Sequence, residues 1–324
     1  MKKKMMFLLV GVLLIIAACA NNDNGDSKSS LGDYPSKTIE VYVGHGAGGG
    51  TDLFARAAAK ELEELLGVKV NVVNMEGGAG VVAAENAHKQ SPDGYTLVAD
   101  AAFPITTAAG TNQYGLEGFT PIARFQSDTY ALWVDPDKFE DIDDFMEQAK
   151  ANPNSITVGG TGSMGMDEIT VGMINMEADV DLKFIPMEGA GEMHAGLVGG
   201  HIDAMVEEFG PADSLYQDES IKPLVVFNDE RLDEYPDLPT TVENGWDLVD
   251  GNERGFYIHS DADPELIEFL EETMKEAYDS DTYQKYQEDS FLHLREGWMD
   301  SEEFTKRTEE LIEKFEEVIQ NIGD

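Results

Sequence analysis

The feature that most constrains the fold is a β-branched segment that leads directly into a glycine-rich loop and then into a helix. Residues 38–43 alternate as a strand does, residues 44–50 are rich in glycine, and a helix is predicted over 51–66. Further strands are predicted at 69–74 and 95–99, with a short helix between them. Strands that alternate with helices pair in parallel through crossover connections, so this part of the chain predicts an α/β fold.

The middle of the chain repeats this pattern, which predicts a second lobe of the same class. A second glycine-rich loop, 159–165, again lies between a strand and a helix. The predicted elements are strands at 130–134, 155–158, 182–185 and 202–206, and helices at 142–150, 166–176 and 192–198.

Helical periodicity also predicts which faces are buried. In the helix over 51–66 the apolar side is predicted to include Leu53 and Leu65. Near the C-terminus, Asp263 followed by proline predicts the start of a helix that ends near residue 278. Ser301 is predicted to cap a longer helix with apolar residues spaced along 304–322, and both helices are predicted to pack on the first lobe.

The N-terminus has the pattern of an export signal. Lysines at 2–4 precede an apolar run over 5–20, which is short for a membrane span. The only cysteine, Cys19, ends the run Ile-Ala-Ala-Cys, which resembles the cleavage motif of a bacterial lipoprotein. This predicts a signal peptide at 1–18, a lipid-modified Cys19 and a flexible tether at 19–33; the alternative is a plain signal peptide with an incidental cysteine. The protein is therefore expected on the outer face of the cytoplasmic membrane.

The charge of the chain excludes several classes of protein. The net charge is −42, and removal of the three lysines at 2–4 with the signal would make it −45. No nucleic acid is an expected partner, because phosphate binding needs a basic face. A single cysteine excludes a disulfide scaffold and a cysteine-based metal site. Such acidity is tolerated best where salt screens it, which predicts a saline surrounding.

Enzyme motifs are incomplete. Gly44, Gly46 and Gly49 have the spacing of a dinucleotide-binding loop, but the second strand ends in Asn74 instead of an acid, so no cofactor is expected. Residues 161–165 differ from a nucleophile elbow at one position, which leaves an exported serine hydrolase that uses Ser163 as the alternative from another class. The six histidines lack metal-ligand spacing, so no metal site is expected.

The first glycine loop has the properties of an anion site. Backbone N–H groups at the start of a helix, together with the Thr51 hydroxyl, can bind a carboxylate. The alternative is a tight turn without a ligand.

Four motifs, in order along the chain, resemble one family. They are GGGTDLFAR at 48–56, SPDGYTL at 91–97, GGHID at 199–203 and LPTTVENG at 238–245. They are similar to motifs of the solute-binding proteins of tripartite tricarboxylate transporters, the Bug or TctC type. The resemblance implies a two-lobed periplasmic-binding-protein fold (Venus flytrap, type II), with sheets dominated by parallel strands and a cleft between the lobes. Lobe one would comprise 34–131, lobe two 132–252, and 253–324 would return to lobe one.

The same resemblance implies a function and a set of site residues. The protein would be a monomeric binding protein, not an enzyme, that delivers a small carboxylate to a permease with a large and a small integral-membrane subunit. A receptor that presents its ligand to a sensor kinase is a further alternative. The chain departs from the family pattern at His45, at Met187 and at Asp167 with Glu168. The implied ligand-binding residues are His45, Gly48, Gly49, Gly50, Thr51, Asp52, Ala101, Ala102 and Phe103 in lobe one, and Thr161, Gly162, Ser163, Met187, Gly189 and Glu207 in lobe two.

Overall fold

Ten strands form two five-stranded sheets in the computed structural model, which describes residues 31–161 and 165–323. The predicted signal peptide, the Cys19 anchor, most of the tether, Gly162 and Ser163 lie outside the described residues. From Pro35 onward the chain forms one compact unit. The first sheet contains β1 (Ile39–Val43), β2 (Val70–Asn74), β3 (Thr96–Asp100), β4 (Phe119–Ser127) and β10 (Glu253–His259). The second contains β5 (Tyr130–Val134), β6 (Thr157–Thr161), β7 (Lys183–Met187), β8 (Ala204–Glu208) and β9 (Lys222–Val226).

The two sheets have the same topology. The strand order is β2-β1-β3-β10-β4 in the first and β7-β6-β8-β5-β9 in the second. In each sheet four strands run in one direction, and the antiparallel strand, β10 or β5, lies between two of them. The α/β two-lobed fold with mainly co-directional strands is therefore confirmed.

The antiparallel strand of each sheet follows a crossing from the other sheet. The first crossing, at 128–129, leads from β4 into β5, and the second leads from β9 into β10. The two crossings are joined by a backbone hydrogen bond of 3.0 Å from Asp128 N to the Asn252 carbonyl. The lobe boundary expected between 131 and 132 therefore falls inside β5, whereas the one expected at 252–253 coincides with the start of β10.

Eleven α-helices connect and cover the strands in the described part of the chain. None of these helices combines the length and the apolar character that a membrane crossing requires. They are α1 (Gly50–Leu66), α2 (Val81–His88), α3 (Phe103–Ala108), α4 (Gly115–Gly118), α5 (Ile142–Ala151), α6 (Met166–Ala178), α7 (Ala190–Val198), α8 (Phe209–Gln217), α9 (Pro264–Tyr278), α10 (Asp281–Asp289) and α11 (Ser301–Gly323).

Two details of the helices differ from the prediction. The buried face of α1 is formed by Phe54, alanines and Leu62, whereas Leu53 and Leu65 are 50% and 45% exposed. Small alanines allow the helix to pack closely on its sheet, and this contact determines the buried face. The carboxylate of Asp300 accepts the Glu303 N–H at 2.9 Å and so caps α11, while the Ser301 hydroxyl donates to the Pro121 carbonyl.

The last helix contacts the cores of both sheets. Phe304, in its first turn, is buried with Tyr257 of β10. Further along, Phe315 and Val318 belong to the core that β5, β6 and β8 build in the second half. The prediction that this helix packs on lobe one is therefore incomplete, because its C-terminal half packs on lobe two.

Candidate functional site

A cavity of about 410 Å³ lies between the two sheets, where the glycine-rich loops meet the second crossing. Residues of both halves line it, so a bound molecule would contact both. The lining residues are His45, Gly49, Gly50, Thr51, Ala79, Ala101, Ala102 and Ile105 from the first half, Thr161, Gly165, Met166 and Asp167 from the second, and Asn252 and Arg254 from the crossing and β10.

Of the expected site residues that the structure describes, the cavity brings together seven. These are His45, Gly49, Gly50, Thr51, Ala101, Ala102 and Thr161. Asp52 and Phe103 are buried instead; the Phe103 ring stacks on Tyr257 at 4.3 Å between centroids. Gly48 lies in the loop before α1, where its N–H binds Asp52.

The start of α1 is the part of the wall best suited to an anion. Gly49 is the N-cap residue and has no side-chain cap. The first N–H that bonds within the helix is that of Leu53, to the Gly49 carbonyl at 2.9 Å. The N–H groups of Gly50 and Thr51 therefore precede the helical hydrogen bonds, at the positive end of the helix dipole.

Asp52, in the first turn of α1, holds the loop in place and does not line the cavity. One carboxylate oxygen accepts the Gly48 N–H at 2.8 Å and Arg56 Nε at 2.9 Å; the other accepts Asn74 Nδ2 at 2.8 Å. Burial alone would raise the pKa of Asp52, but these hydrogen bonds and the Arg56 charge hold the pKa below its usual value. The acid and its cation form a neutral pair.

The expected amide donors after β3 already have a partner. The Ala101 and Ala102 N–H groups donate to one carboxylate oxygen of Asp100, at 2.9 and 3.1 Å. Asp100 is buried, which raises its pKa, although His45 at 3.8 Å acts in the opposite direction. Buried His45 Nδ1 has no hydrogen-bond partner among the described residues. In this structure these two amides therefore bind an internal carboxylate.

Thr161 has a similar internal partner. Its N–H and hydroxyl donate to one oxygen of Asp167, at 2.6 and 2.9 Å, and the other oxygen accepts the Tyr130 hydroxyl at 3.0 Å. Burial raises the pKa of Asp167, and the nearby charge of Glu208 adds to this effect. The second half thus presents an acid to the cavity.

Arg254, which the sequence analysis did not identify, is the basic residue of the wall. It forms ion pairs with Asp128 and, at 3.3 Å, with Glu208. Burial would lower the pKa of the Arg254 guanidinium, but the two carboxylates outweigh that effect and raise it. A Cβ atom on Gly50 would lie 2.6 Å from Arg254 Nη2, so glycine is needed there. The available sequence signal was an arginine next to the apolar run of β10.

Three further expected site residues, all in the second half, also lie away from the cavity. Met187 packs on the core beneath α7, and Gly189 is the N-cap residue of that helix. The Glu207 carboxylate contacts His194 Nε2 at 3.1 Å. Burial raises the pKa of Glu207 to about 7, although the bond to His194 opposes this. Within the described ranges, no group of three or more histidine, cysteine or acidic side chains could hold a metal ion.

Comparison with known proteins gives a consistent result. The profile of the tripartite tricarboxylate transporter family receptor, TctC, matches residues 54–324. A Cupriavidus necator protein, described as a UPF0065 protein in the gbd 5′ region, is 27% identical over 90% of this chain and 89% of its own length.

Two solved structures share the fold. A TctC solute-binding protein from Polaromonas superposes with a TM-score of 0.78 at 24% identity, covering 89% of this chain and 99% of its own. MatC of Rhodopseudomonas palustris, with bound malate, gives 0.72 at 23% identity, covering 88% and 100%. With the family profile matched over most of its length, the chain belongs to the TctC family of tripartite tricarboxylate transporter receptors, as its four motifs predicted.

Proposed function

We propose that this protein captures a small carboxylate in the cavity between its lobes and delivers it to a tripartite tricarboxylate-type permease. The observation that carries the proposal is the start of α1, where Gly50 and Thr51 line the cavity and their N–H groups precede the first helical hydrogen bond. A ligand carboxylate there would be bound by charge-assisted hydrogen bonds. Membership of a receptor family and the malate bound by MatC support this assignment.

Capture would proceed by closure of the lobes around the ligand. The crossings lie side by side, joined between Asp128 and Asn252, so both can bend together as a hinge. Closure would exclude water and shorten the contacts between the ligand and the α1 N–H groups. No bond in the ligand would be made or broken.

The proposal is tested by adding a charge at the start of α1. In Gly49→Asp a carboxylate would occupy the anion end, so calorimetric binding of small carboxylates should be lost. Gly191→Asp is the matched control, because it adds the same charge at the start of α7, in open space. Equal binding by both variants and the wild type would place the site elsewhere. Hydrolysis of a generic ester that Ser163→Ala abolishes would favour the serine hydrolase.

We also propose a lipid anchor at Cys19 on the outer face of the cytoplasmic membrane, with one copy of the chain per receptor. Cys19→Ser should move the protein from the membrane fraction to the soluble fraction without a change in melting temperature. A Ser variant that still sediments with salt-washed membranes would contradict the anchor. Sedimentation equilibrium of the same variant should give the mass of a monomer.

The acidic surface suggests a saline surrounding. With a net charge of −42, repulsion between carboxylates should destabilise the fold in dilute buffer, and molar salt should screen it within about 3 Å. The melting temperature should therefore rise steeply from low salt to molar sodium chloride. A flat profile would contradict this proposal.

A further inference from the structure

We propose that the ligand is an amino carboxylate, whose carboxylate binds at the start of α1 and whose ammonium group binds Asp167, so that Asp167 selects against dicarboxylates. This inference rests on the proposed function, since it concerns the same cavity. Asp167 would thus determine specificity, in addition to its position in the first turn of α6.

Asp167 is positioned to contact a ligand directly. It lines the cavity and is 8% exposed. One of its oxygens accepts two hydrogen bonds from Thr161, while the other accepts the Tyr130 hydroxyl and no further donor among the described residues. A carboxylate oxygen can accept two hydrogen bonds, so the second oxygen can accept one more from the cavity.

The three described polar side chains nearest Asp167, those of Tyr130, Thr161 and Asn252, have already donated their hydrogens. The Asn252 amide donates to Tyr130 at 2.8 Å and to Glu208 at 2.6 Å, which uses both of its hydrogens and leaves its oxygen for the cavity. The Tyr130 hydroxyl donates to Asp167, and the Thr161 hydroxyl does the same. A ligand group that faces this wall is therefore best placed as a hydrogen-bond donor.

The charges at this wall favour a cation. Arg254 is the only lysine or arginine among the lining residues described, and it is paired with both Asp128 and Glu208. The start of α6 contributes a partial positive charge, which is smaller than the full charge of the Asp167 carboxylate in its first turn. A second ligand carboxylate would face Asp167 without a free cation, and repulsion at about 5 Å would weaken its binding roughly 100-fold.

The test compares ligands that differ only at the far end. Succinate, 4-hydroxybutanoate and 4-aminobutanoate, with glutarate and 5-aminopentanoate as a longer pair, would be titrated calorimetrically into the full-length protein in detergent. We expect the amino compound of the better-fitting length to bind at least about 10-fold tighter than its diacid. Asp167→Asn should reverse this order. Glu168→Gln is the matched control, because it removes one charge from the same helical turn but does not line the cavity.

The outcomes separate the two proposals. Diacids that bind as well as the amino compounds, or equal shifts in Asp167→Asn and Glu168→Gln, would overturn the role of Asp167 and leave the carboxylate receptor intact. Tighter binding of the hydroxy compound would likewise overturn the ammonium assignment. Failure of every probe to bind the wild type would overturn both proposals. If Asp167→Asn does not fold, the wild-type order of diacid and amino compound decides the question by itself.

Discussion

The starts of α1 and α6 occupy equivalent places in the two halves of the molecule. Each helix follows the second strand in its sheet order, β1 or β6, and each has a glycine as its N-cap residue. Each also carries an aspartate in its first turn, Asp52 or Asp167, whose carboxylate accepts an N–H group from the preceding loop or strand. Sequence and topology would therefore predict the same chemistry at both.

Their partners make the two aspartates different. Asp52 is paired with Arg56 and Asn74, is buried outside the cavity and has a lowered pKa. Asp167 has hydroxyl and amide partners but no cationic partner among the residues that the structure describes; it lines the cavity and has a raised pKa. In the first half, Arg56 neutralises the aspartate, so the start of α1 remains available to an anion. In the second half, the aspartate faces the cavity and repels an anion at the start of α6. The partner of the acid, and not its position, decides the chemistry.

The largest effect should come from Gly50→Ala. Its Cβ would lie 2.6 Å from Nη2 and 3.1 Å from Cζ of Arg254, whose guanidinium is held by the buried Asp128 and by the partly buried Glu208. We expect a loss of about 3 kcal/mol in the free energy of unfolding by urea. Gly165→Ala at α6 places its Cβ 3.2 Å from the Thr161 carbonyl and should cost less than about 1 kcal/mol. Equal losses would mean that Arg254 does not distinguish the two helix starts.

Next in size is the effect of the two threonines on ligand affinity. Thr51 lines the cavity at the anion end, so loss of its hydroxyl in Thr51→Ala should weaken binding of 4-aminobutanoate about 10-fold or more. The Thr161 hydroxyl is bonded to Asp167, so Thr161→Ala should change affinity less than about 3-fold. Calorimetry measures both. The reverse order would assign the ligand carboxylate to α6.

A smaller, pH-dependent difference should distinguish Asp52→Asn from Asp167→Asn. The lowered pKa of Asp52 means that its ionised form stabilises the fold above the unfolded pKa of about 4, and this contribution is lost as the pH falls. Asp52→Asn should therefore lower the free energy of unfolding by about 1–2 kcal/mol at pH 7. The effect is modest because Arg56 is half exposed, and it should be smaller still in acid.

Asp167 should behave in the opposite way. Because its pKa is raised, its contribution to stability is present below the unfolded pKa and is lost as the pH rises through the folded value. Asp167→Asn should therefore gain stability relative to the wild type as the pH rises from 4 to 7. Urea unfolding of both variants at several pH values measures this. Parallel profiles would remove the proposed distinction.

The sequence predicted the repeated strand–loop–helix units because their signals are local. The β-branched runs, the glycine loops and the Asp263 cap each depend on a few neighbouring residues, and the Asp263 carboxylate does accept the Glu265 N–H at 3.0 Å. The antiparallel direction of β5 and β10 depends on which strands they pair with after the chain has crossed from one sheet to the other. No local pattern encodes that choice.

The site was only partly predictable for the same reason. The glycine loops indicated where free backbone N–H groups would lie. They did not indicate that Asp100 would accept the N–H groups of Ala101 and Ala102. Nor did they indicate that Asp167 would accept that of Thr161. Arg254 reaches Gly50 from a strand more than 200 residues later in the chain. Only the folded arrangement brings such distant side chains together.

The last helix, α11, limits how the lobes can move. Its 23 residues form a rod about 34 Å long, with Phe304 packed against the first sheet and Val318 in the core of the second. A wide separation of the lobes would pull one end of the rod out of its core and expose large apolar side chains to water. A small rotation, with α11 sliding along its neighbours, preserves both contacts. Ligand exchange should therefore require only a modest twist, and a C-terminal truncation before Leu311 should loosen the second lobe while Phe304 still packs on the first.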